Sequence, residues 1–338
     1  MIDLLVAGGG PVGLATALYA HRAGLTVAVA EPRRGSIDKA CGEGLMPGAV
    51  TALAELGIEP PGQVFRGIRY VEGARRAEAR FAQGSGLGVR RTTLHAAMRE
   101  AVDAAGISVH PVRVEAISQD AHSVRAASLH ARYLAAADGL HSPLRRELGL
   151  EKPCSGPARF GLRGHFAAAP WADVVEVHWS REAEAYVTPV APDLVGVAIL
   201  TSRRAPLGEH LRAFPALVER LSCESVTKVR GASPLRQRSS RRVAGRVLLV
   251  GDAAGYVDAL TGEGVAVGLA AARELVRAVV RDDPQSYEEA WLEATRHYRW
   301  LTGSLLWARN SRVMRPTIVA AANRLPVVFE AAVNSLAR

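Results

Sequence analysis

A glycine-rich turn separates an apolar run from a helical pattern at the start of the chain, in IDLLVAGGGPVGLATALYAHRAGLTVAVAEPRR. The apolar runs at residues 2–7 and 25–30 predict two buried strands, and the small and apolar residues between them predict a helix that ends at Gly24. A strand, a turn, a helix and a second strand in this order predict a βαβ unit. We therefore expect a fold of the α/β class.

The glycine spacing in this turn suits a dinucleotide pyrophosphate. Gly8 makes the tight turn, Gly10 lets the backbone approach the phosphates, and Gly13 lets the helix pack closely on the strand. The helix N-terminus adds N–H donors and the positive end of its dipole. Glu31, 18 residues after Gly13, is placed to accept hydrogen bonds from a ribose hydroxyl pair, which favours NAD or FAD over NADP.

Two further acidic motifs follow predicted strands. The segment YLAAADGLHSPLRRELG carries Asp138-Gly139, and RVLLVGDAAG carries Asp252. An acid at the carboxyl end of a strand stands where α/β sheets bind their ligands. The segment GVRRTTLHAAMREAV carries Arg91 and lies between the first turn and Asp138.

In this order the four motifs closely resemble those of FAD-dependent oxidoreductases with the glutathione-reductase-like or para-hydroxybenzoate-hydroxylase-like fold, over residues 1 to about 280. The resemblance implies that Arg91 contacts the ribityl-phosphate side of FAD and that Asp252 accepts a hydrogen bond from the ribityl chain. It also implies that the backbone at Gly262 and Gly264 approaches the N1/O2 edge of the flavin. The predicted cofactor-binding residues are Gly8, Gly10, Pro11, Val12, Gly13, Glu31, Arg33, Gly42, Arg91, Asp138, Gly139, Asp252, Gly262 and Gly264.

The same resemblance implies a Rossmann-type FAD-binding domain with an inserted antiparallel β-sheet domain and C-terminal helices. Alternating apolar and polar residues over 157–200 predict the inserted strands, and residues 63–81 predict a further hairpin. The predicted boundaries are 1–62, 90–156 and 240–285 for the discontinuous FAD-binding domain, 63–89 and 157–239 for the substrate-binding sheet, and 286–338 for the C-terminal helices.

Residues around the Asp252 motif help to distinguish a hydroxylation from a reduction. Aromatic hydroxylases usually read GDAAH with a proline a few residues on, whereas Gly255 and Ala259 take those places here. The forms GDAAG…LTGEG and KACGEGLMPGAV are more similar to geranylgeranyl-reductase-type flavoproteins, in which a Cys-Gly pair, here Cys41-Gly42, stands near the flavin. The isoprenoid-binding Tyr-x-Trp-x-Phe-Pro motif of those reductases is absent, since the corresponding stretch reads EAYVTPVAPDLVGVAIL.

We predict an FAD-dependent oxidoreductase, and first an NADH- or NADPH-dependent monooxygenase that uses O₂ to hydroxylate an aromatic or polyketide-like small molecule of secondary metabolism. The alternative is an FAD-dependent carbon–carbon double-bond reductase with an isoprenoid-like substrate and Cys41 as proton donor. A redox-neutral FAD cyclase or isomerase is a second alternative. The catalytic candidates are Cys41, His165 and Tyr186, and the other candidate pocket residues are Arg163, Glu176, His178 and Trp179.

The amino-acid composition limits which kinds of binding partner and which cellular compartment we expect. The net charge of +9 comes mainly from scattered arginines that interleave with acids, which favours a solvated basic surface over a nucleic-acid site. Cys41, Cys154 and Cys223 show neither metal nor disulfide spacing, which favours a reducing, cytoplasmic location. The N-terminus reads as a first strand and not as a signal peptide.

The tail after residue 283 predicts two or three helices, broken near Pro316 and Pro326. No apolar run is long enough to span a membrane, so we expect membrane contact, if any, only through this tail. Core packing is the expected role of Trp291, Trp300 and Trp307.

Overall fold

The computed structural model describes residues 1–221 and 224–337, so Cys223 lies outside the described residues. Within them, short 3-10 helices span Gly251–Ala253 and Arg315–Thr317. The helices are α1 (Pro11–Arg22), α2 (Pro47–Glu55), α3 (Arg91–Ala104), α4 (Pro143–Glu147), α5 (Leu207–Leu211), α6 (Pro215–Val218), α7 (Gly264–Val280), α8 (Ser286–Asn310), α9 (Ile318–Arg324) and α10 (Pro326–Leu336). The strands are β1 (Ile2–Ala7), β2 (Val27–Ala30), β3 (Gly44–Leu45), β4 (Gln63–Phe65), β5 (Gly67–Glu72), β6 (Arg75–Arg80), β7 (Gly86–Gly88), β8 (Ser108–His110), β9 (Ile117–Gln119), β10 (Val124–Ala126), β11 (Leu129–Ala136), β12 (Glu151–Lys152), β13 (Phe160–Ala167), β14 (Val175–Trp179), β15 (Ala183–Ala191), β16 (Leu194–Thr201), β17 (Arg230–Ala232), β18 (Arg238–Ser239), β19 (Val243–Ala244) and β20 (Val247–Leu249).

The first sheet has a parallel centre, with the strand order β19-β20-β11-β1-β2-β8 and with β9 and β10 joined to β11. Its central strands are mostly apolar and buried, as expected of a parallel sheet that helices cover. Pairing in register sets Ala7 beside Ala136 and Ala136 beside Leu249, so β1, β11 and β20 end at one edge. The loops that follow these strands carry three of the four predicted motifs, namely the glycine turn, Asp138 and Asp252. The predicted α/β fold class, with its Rossmann-type first unit, is confirmed.

The second sheet has the order β17-β13-β16-β15-β14-β5-β6 and is antiparallel except where β14 runs parallel to β5. It contains the strands predicted over 157–200 and the hairpin predicted within 63–81, formed by β5 and β6. A third, three-stranded sheet joins β3 to β7 and β4. Because β3 lies within predicted domain 1–62 while its partners lie within 63–89, this small sheet crosses the predicted boundary. The domain boundaries themselves stay a prediction.

The C-terminal tail forms three helices, α8 to α10, and Pro326 is the first residue of α10 as the break predicted there requires. The buried stripe of α8 includes Tyr298, Thr302 and Leu306, four residues apart. Trp291 is buried, but Trp300 and Trp307 are 66% and 67% exposed because they lie outside this stripe. The expected core packing is therefore wrong for these two tryptophans. No helix in the described part of the chain is long and apolar enough to cross a membrane.

Candidate functional site

An elongated cavity is lined by the loops at the edge where β1, β11 and β20 end, by the face of the second sheet and by α10. It therefore brings together residues that lie far apart in the sequence. Of the predicted cofactor-binding residues, all but two line it. The residues that do so are Gly10, Pro11, Val12, Gly13, Arg33, Gly42, Arg91, Asp138, Gly139, Asp252, Gly262 and Gly264.

The glycine turn forms a cradle that is tight on one side and open on the other. A Cβ on Gly13 would lie 1.9 Å from the carbonyl oxygen of Gly8, so only glycine lets α1 approach β1 this closely. Gly10 faces the cavity, where a Cβ would meet nothing nearer than the Arg91 Nη2 at 4.0 Å. The space above Gly10 fits a pyrophosphate at the N-terminus of α1. Gly8 itself does not line the cavity but supports the turn beneath it.

Glu31 stabilises this turn through a side-chain hydrogen bond to its backbone. Its Oε2 accepts the Gly9 N–H at 2.8 Å, and its Oε1 accepts the backbone N–H and the Nε–H of Arg33, both at 2.8 Å. Burial alone would raise the pKa of Glu31, but these hydrogen bonds outweigh burial and hold the pKa below its usual value. Glu31 is buried and does not line the cavity, whereas Arg33 does. The predicted ribose contact of Glu31 stays a prediction.

Arg145, which has no exposed surface, links the loop that carries the Asp138 motif to the loop that carries the Asp252 motif. Its guanidinium donates to the carbonyl of Leu140, on the loop after β11, and to that of Ala253, both at 3.1 Å. A third hydrogen bond, 2.7 Å long, reaches the Gln237 side chain. Arg145 belongs to the Asp138 motif, but the sequence prediction did not count it among the site residues, although its place three residues after the capping Ser142 was a signal.

Three polar groups in this part of the cavity have atoms without a hydrogen-bond partner among the described residues, and two of these atoms are buried, where polar atoms normally have partners. The Asp252 carboxylate lines the cavity and makes no hydrogen bond to any described residue. Buried Asp138 Oδ1 and Arg91 Nε are also without a partner among the described residues, and burial raises the pKa of Asp138. Hydroxyl and phosphate groups of FAD would satisfy these atoms. The residues present therefore fit the cofactor that the motifs predict.

Lys39 adds a cation that sequence reasoning missed. It lines the cavity, and its Nζ lies 3.0 Å from where a Cβ on Gly139 would stand. Burial lowers the pKa of Lys39, while the nearby Asp252 opposes that change. The sequence feature that could have identified Lys39 was its position in KACGEG, two residues before Cys41.

A buried carboxylate fixes the loop that carries Cys41. Glu43 adopts a positive φ of 60°, and its Oε1 accepts the backbone N–H of Arg91 at 2.9 Å. Its Oε2 lies 2.6 Å from Nε2 of His165, whose Nδ1 lies 2.7 Å from the Thr227 hydroxyl. Glu43 is thus held between the first residue of α3 and β13 of the second sheet. Its position between two glycines in CGEG was the only local signal for this role.

His165 lies outside the cavity and is almost completely buried. Both of its ring nitrogens are engaged, by Glu43 and by Thr227, and the structure does not bring it to the cavity wall, so its catalytic role stays a prediction. The remaining pocket candidates except Tyr186 also lie outside the cavity: Arg163 contacts Asp38, Glu176 contacts His178, and the ring of Trp179 packs on Tyr70.

The cavity holds two of the three catalytic candidates. Cys41 lines it, and its Sγ accepts the Glu43 N–H at 3.4 Å. Tyr186 also lines it, but its hydroxyl donates to the Leu260 carbonyl at 2.7 Å, and burial raises its pKa well above the usual value. Tyr256, which sequence reasoning missed, lines the cavity with a hydroxyl that makes no hydrogen bond to a described residue. Cys41, Tyr256 and Tyr70, whose hydroxyl also makes no hydrogen bond to a described residue, therefore present groups that are free to meet a substrate.

The second sheet gives the cavity an uncharged wall. All the charged side chains that line the cavity come from residues 33–43, from α3 or from the loops after β11 and β20. None comes from the second sheet or from α10. The lining side chains of these two elements include Ile68, Tyr70, Leu162, Val175, Val177, Leu200, Val333 and Leu336.

Replacement of Asp252 by alanine is expected to weaken FAD binding without unfolding the chain. Its carboxylate caps no helix and accepts no hydrogen bond from a described residue, so its loss removes no internal hydrogen bond and weakens only its attraction to Lys39. A charge-assisted hydrogen bond to a ribityl hydroxyl is worth about 1.5–3 kcal/mol, which is about one to two decades of affinity. Flavin fluorescence titration of the apoprotein measures this loss, and Asp252→Asn separates charge from hydrogen bonding. Unchanged affinity in both variants would contradict the assigned contact.

Comparison with known proteins agrees with this geometry. The family model described as FAD binding domain matches residues 1–281. The chain is 29% identical over 308 residues to a menaquinone reductase of Mycobacterium tuberculosis, covering 80% of this chain and 74% of that protein. It is 28% identical over 303 residues to a dialkyldecalin synthase of Streptomyces rugosporus, covering 79% and 62%. It is also 28% identical over 341 residues to digeranylgeranylglycerophospholipid reductase 1 of Methanopyrus kandleri, covering 87% of each chain.

Proposed function

Because this chain belongs to the FAD binding domain family, we propose that it is an FAD-dependent reductase that saturates a carbon–carbon double bond in an apolar substrate. Its membership of the FAD-dependent oxidoreductases follows from the family match and the four motifs. The reduction was the alternative to hydroxylation in the sequence prediction. The observation that carries the proposal is the uncharged wall of the second sheet and α10, which faces the cavity beside a single thiol.

An uncharged wall selects its ligand by desolvation. A phenol or a polar polyketide would find few partners here for the hydrogen bonds to water that it loses on entry. Tyr186 and Thr188 already bond to the carbonyls of Leu260 and Gly42, and the unpaired hydroxyl that this wall offers among the described residues is that of Tyr70. An apolar chain loses no hydrogen bonds there and gains about 25 cal/mol for each Å² that it buries. Two of the three relatives above are named as reductases, which supports the same choice.

The residues of the chain have distinct tasks in this reaction. Bound FAD, reduced by NADH or NADPH, would supply a hydride to one carbon of the double bond. The apolar wall holds the double bond in place and excludes water. Cys41 donates a proton to the other carbon, so its S–H bond breaks as a C–H bond forms. The Glu43 N–H, already directed at Sγ, stabilises the thiolate until solvent reprotonates it.

Turnover without oxygen tests the proposal. Menaquinone and digeranylgeranylglycerophospholipid are the first trial substrates, because the named reductases above suggest them. We expect NADH or NADPH oxidation that depends on substrate and continues in an anaerobic cell. A requirement for O₂ with one O₂ consumed per NAD(P)H would instead support the monooxygenase, and product formation without any NAD(P)H would support the cyclase. The predictions of a secondary-metabolite substrate and a cytoplasmic location stay predictions.

A further inference from the structure

Large apolar side chains that remain exposed concentrate near the C-terminal end of the described chain. Trp300 and Trp307 project from α8, and Val327 and Val328 at the start of α10 are 77% and 62% exposed. Leu325 is also exposed and precedes Pro326, so residues 325–328 form one continuous apolar projection. Together with Arg324 we name this segment, residues 324–328, the α9–α10 corner. Exposed apolar groups that are contiguous mark an interaction surface, whereas isolated ones do not.

The corner is held in place from both sides. On the α9 side, the Asn323 side chain donates to the Arg76 carbonyl of β6 at 2.5 Å. On the α10 side, the Asn334 side chain accepts the Ala82 N–H at 2.6 Å. Phe329 and Val333 of α10 are buried in the core. The apolar residues of the corner therefore project from an anchored helix pair and not from a loose end.

The charge around the corner is positive. Between residues 294 and 337 the sequence has six arginines and one acid, Glu330, but buried Arg309 pairs with Glu184 and Arg296 pairs with Glu293, so these two add no free charge. Arg312 and Arg324 are exposed and form no ion pair within the described residues, and the exposed Arg76 lies beside Asn323. A symmetric contact between two copies of this surface would bring arginines against arginines. An anionic surface complements it.

We propose that the α9–α10 corner inserts into the surface of an anionic lipid bilayer. Apolar side chains flanked by arginines suit the boundary between lipid headgroups and acyl chains. The same helix continues from the corner into the cavity, where Val333 and Leu336 form part of its wall. At 1.5 Å per residue, Val333 lies only about 8 Å along α10 from Val328. The corner therefore sets one wall of the cavity close to the lipid from which an apolar substrate would enter.

Vesicle sedimentation tests the lipid contact on the FAD-loaded chain without any turnover, so its outcome does not depend on the proposed function. We expect binding to vesicles of phosphatidylglycerol and phosphatidylcholine, and little binding to phosphatidylcholine alone. Val327→Ser with Val328→Ser is expected to lower the partition coefficient at least about tenfold. Arg324→Glu is expected to lower it by about the same factor. The matched control is Val218→Ser with Val280→Ser, which removes two exposed valines elsewhere and is expected to bind as the parent chain does.

Flavin absorbance and thermal melting show that each variant is folded. The proposal is overturned if the parent chain does not bind anionic vesicles, or if the corner variants bind as well as the control. It is also overturned if light scattering shows a dimer that the corner variants dissociate, because the surface would then serve a second copy of the chain.

Discussion

Gly10→Ala is expected to lose FAD while the apoprotein stays folded. Gly10 has φ −71° and ψ 172°, a conformation that alanine adopts readily, and no protein atom lies within contact distance of the added methyl group apart from the Arg91 Nη2 at 4.0 Å. The methyl group would instead occupy the space over the N-terminus of α1 where the pyrophosphate fits. We expect FAD affinity to fall about a hundredfold or more, equivalent to about 2.7 kcal/mol.

Gly13→Ala provides the contrast, because its methyl group would meet the chain itself. The Gly8 carbonyl oxygen would stand 1.9 Å from the new Cβ, so β1 and α1 must separate. We expect a loss of about 3 kcal/mol or more in the free energy of unfolding of the apoprotein. Urea unfolding and flavin titration of both variants measure the two effects. Normal FAD affinity in Gly10→Ala would contradict the placement of the cofactor.

Cys41→Ser is expected to lower turnover by about 10² or more while FAD binding and its reduction by NAD(P)H stay unchanged. The serine keeps the shape of the thiol and can still accept the Glu43 N–H, but its hydroxyl is a far weaker acid. The loss should therefore appear in kcat and not in KM. Stopped-flow measurement of flavin reduction and of substrate-dependent flavin reoxidation separates the two half-reactions.

Cys154→Ser is the matched control, because Cys154 is an exposed free thiol. It is expected to turn over at the parent rate. If Cys41→Ser changes the rate only modestly, the proton comes from elsewhere, and Tyr256 is the next candidate because its hydroxyl lines the same cavity. If Cys41→Ser changes the turnover rate only modestly and the reaction consumes oxygen, the result would support the monooxygenase that the sequence predicted.

The parts of the fold that depend on local sequence were predictable. The βαβ unit follows from apolar runs and glycine spacing, and the inserted strands follow from alternation over 157–200. The loops carrying Asp138 and Asp252 follow strands that end at one edge, which the motif order implied. Each of these features is encoded within one contiguous segment of the chain.

Contacts between distant segments were not predictable in the same way. His165 was predicted as a pocket base on an alternating strand, but its ring contacts Glu43, which lies 122 residues earlier, and does not line the cavity. Arg145 reaches the Ala253 carbonyl 108 residues later. The exposed faces of Trp300 and Trp307 depend on which stripe of α8 the second sheet and its loops cover. A single sequence contains no signal for these pairings.

The most direct test of FAD-dependent double-bond reduction is a single anaerobic turnover. The flavin is reduced under argon, excess reductant is removed, and the protein is mixed with a substrate that supports turnover while the flavin spectrum and the product mass are recorded. The account predicts that the flavin is reoxidised without oxygen and that the product gains two hydrogen atoms. A flavin that stays reduced until oxygen is admitted, with a product that gains one oxygen atom, would contradict it.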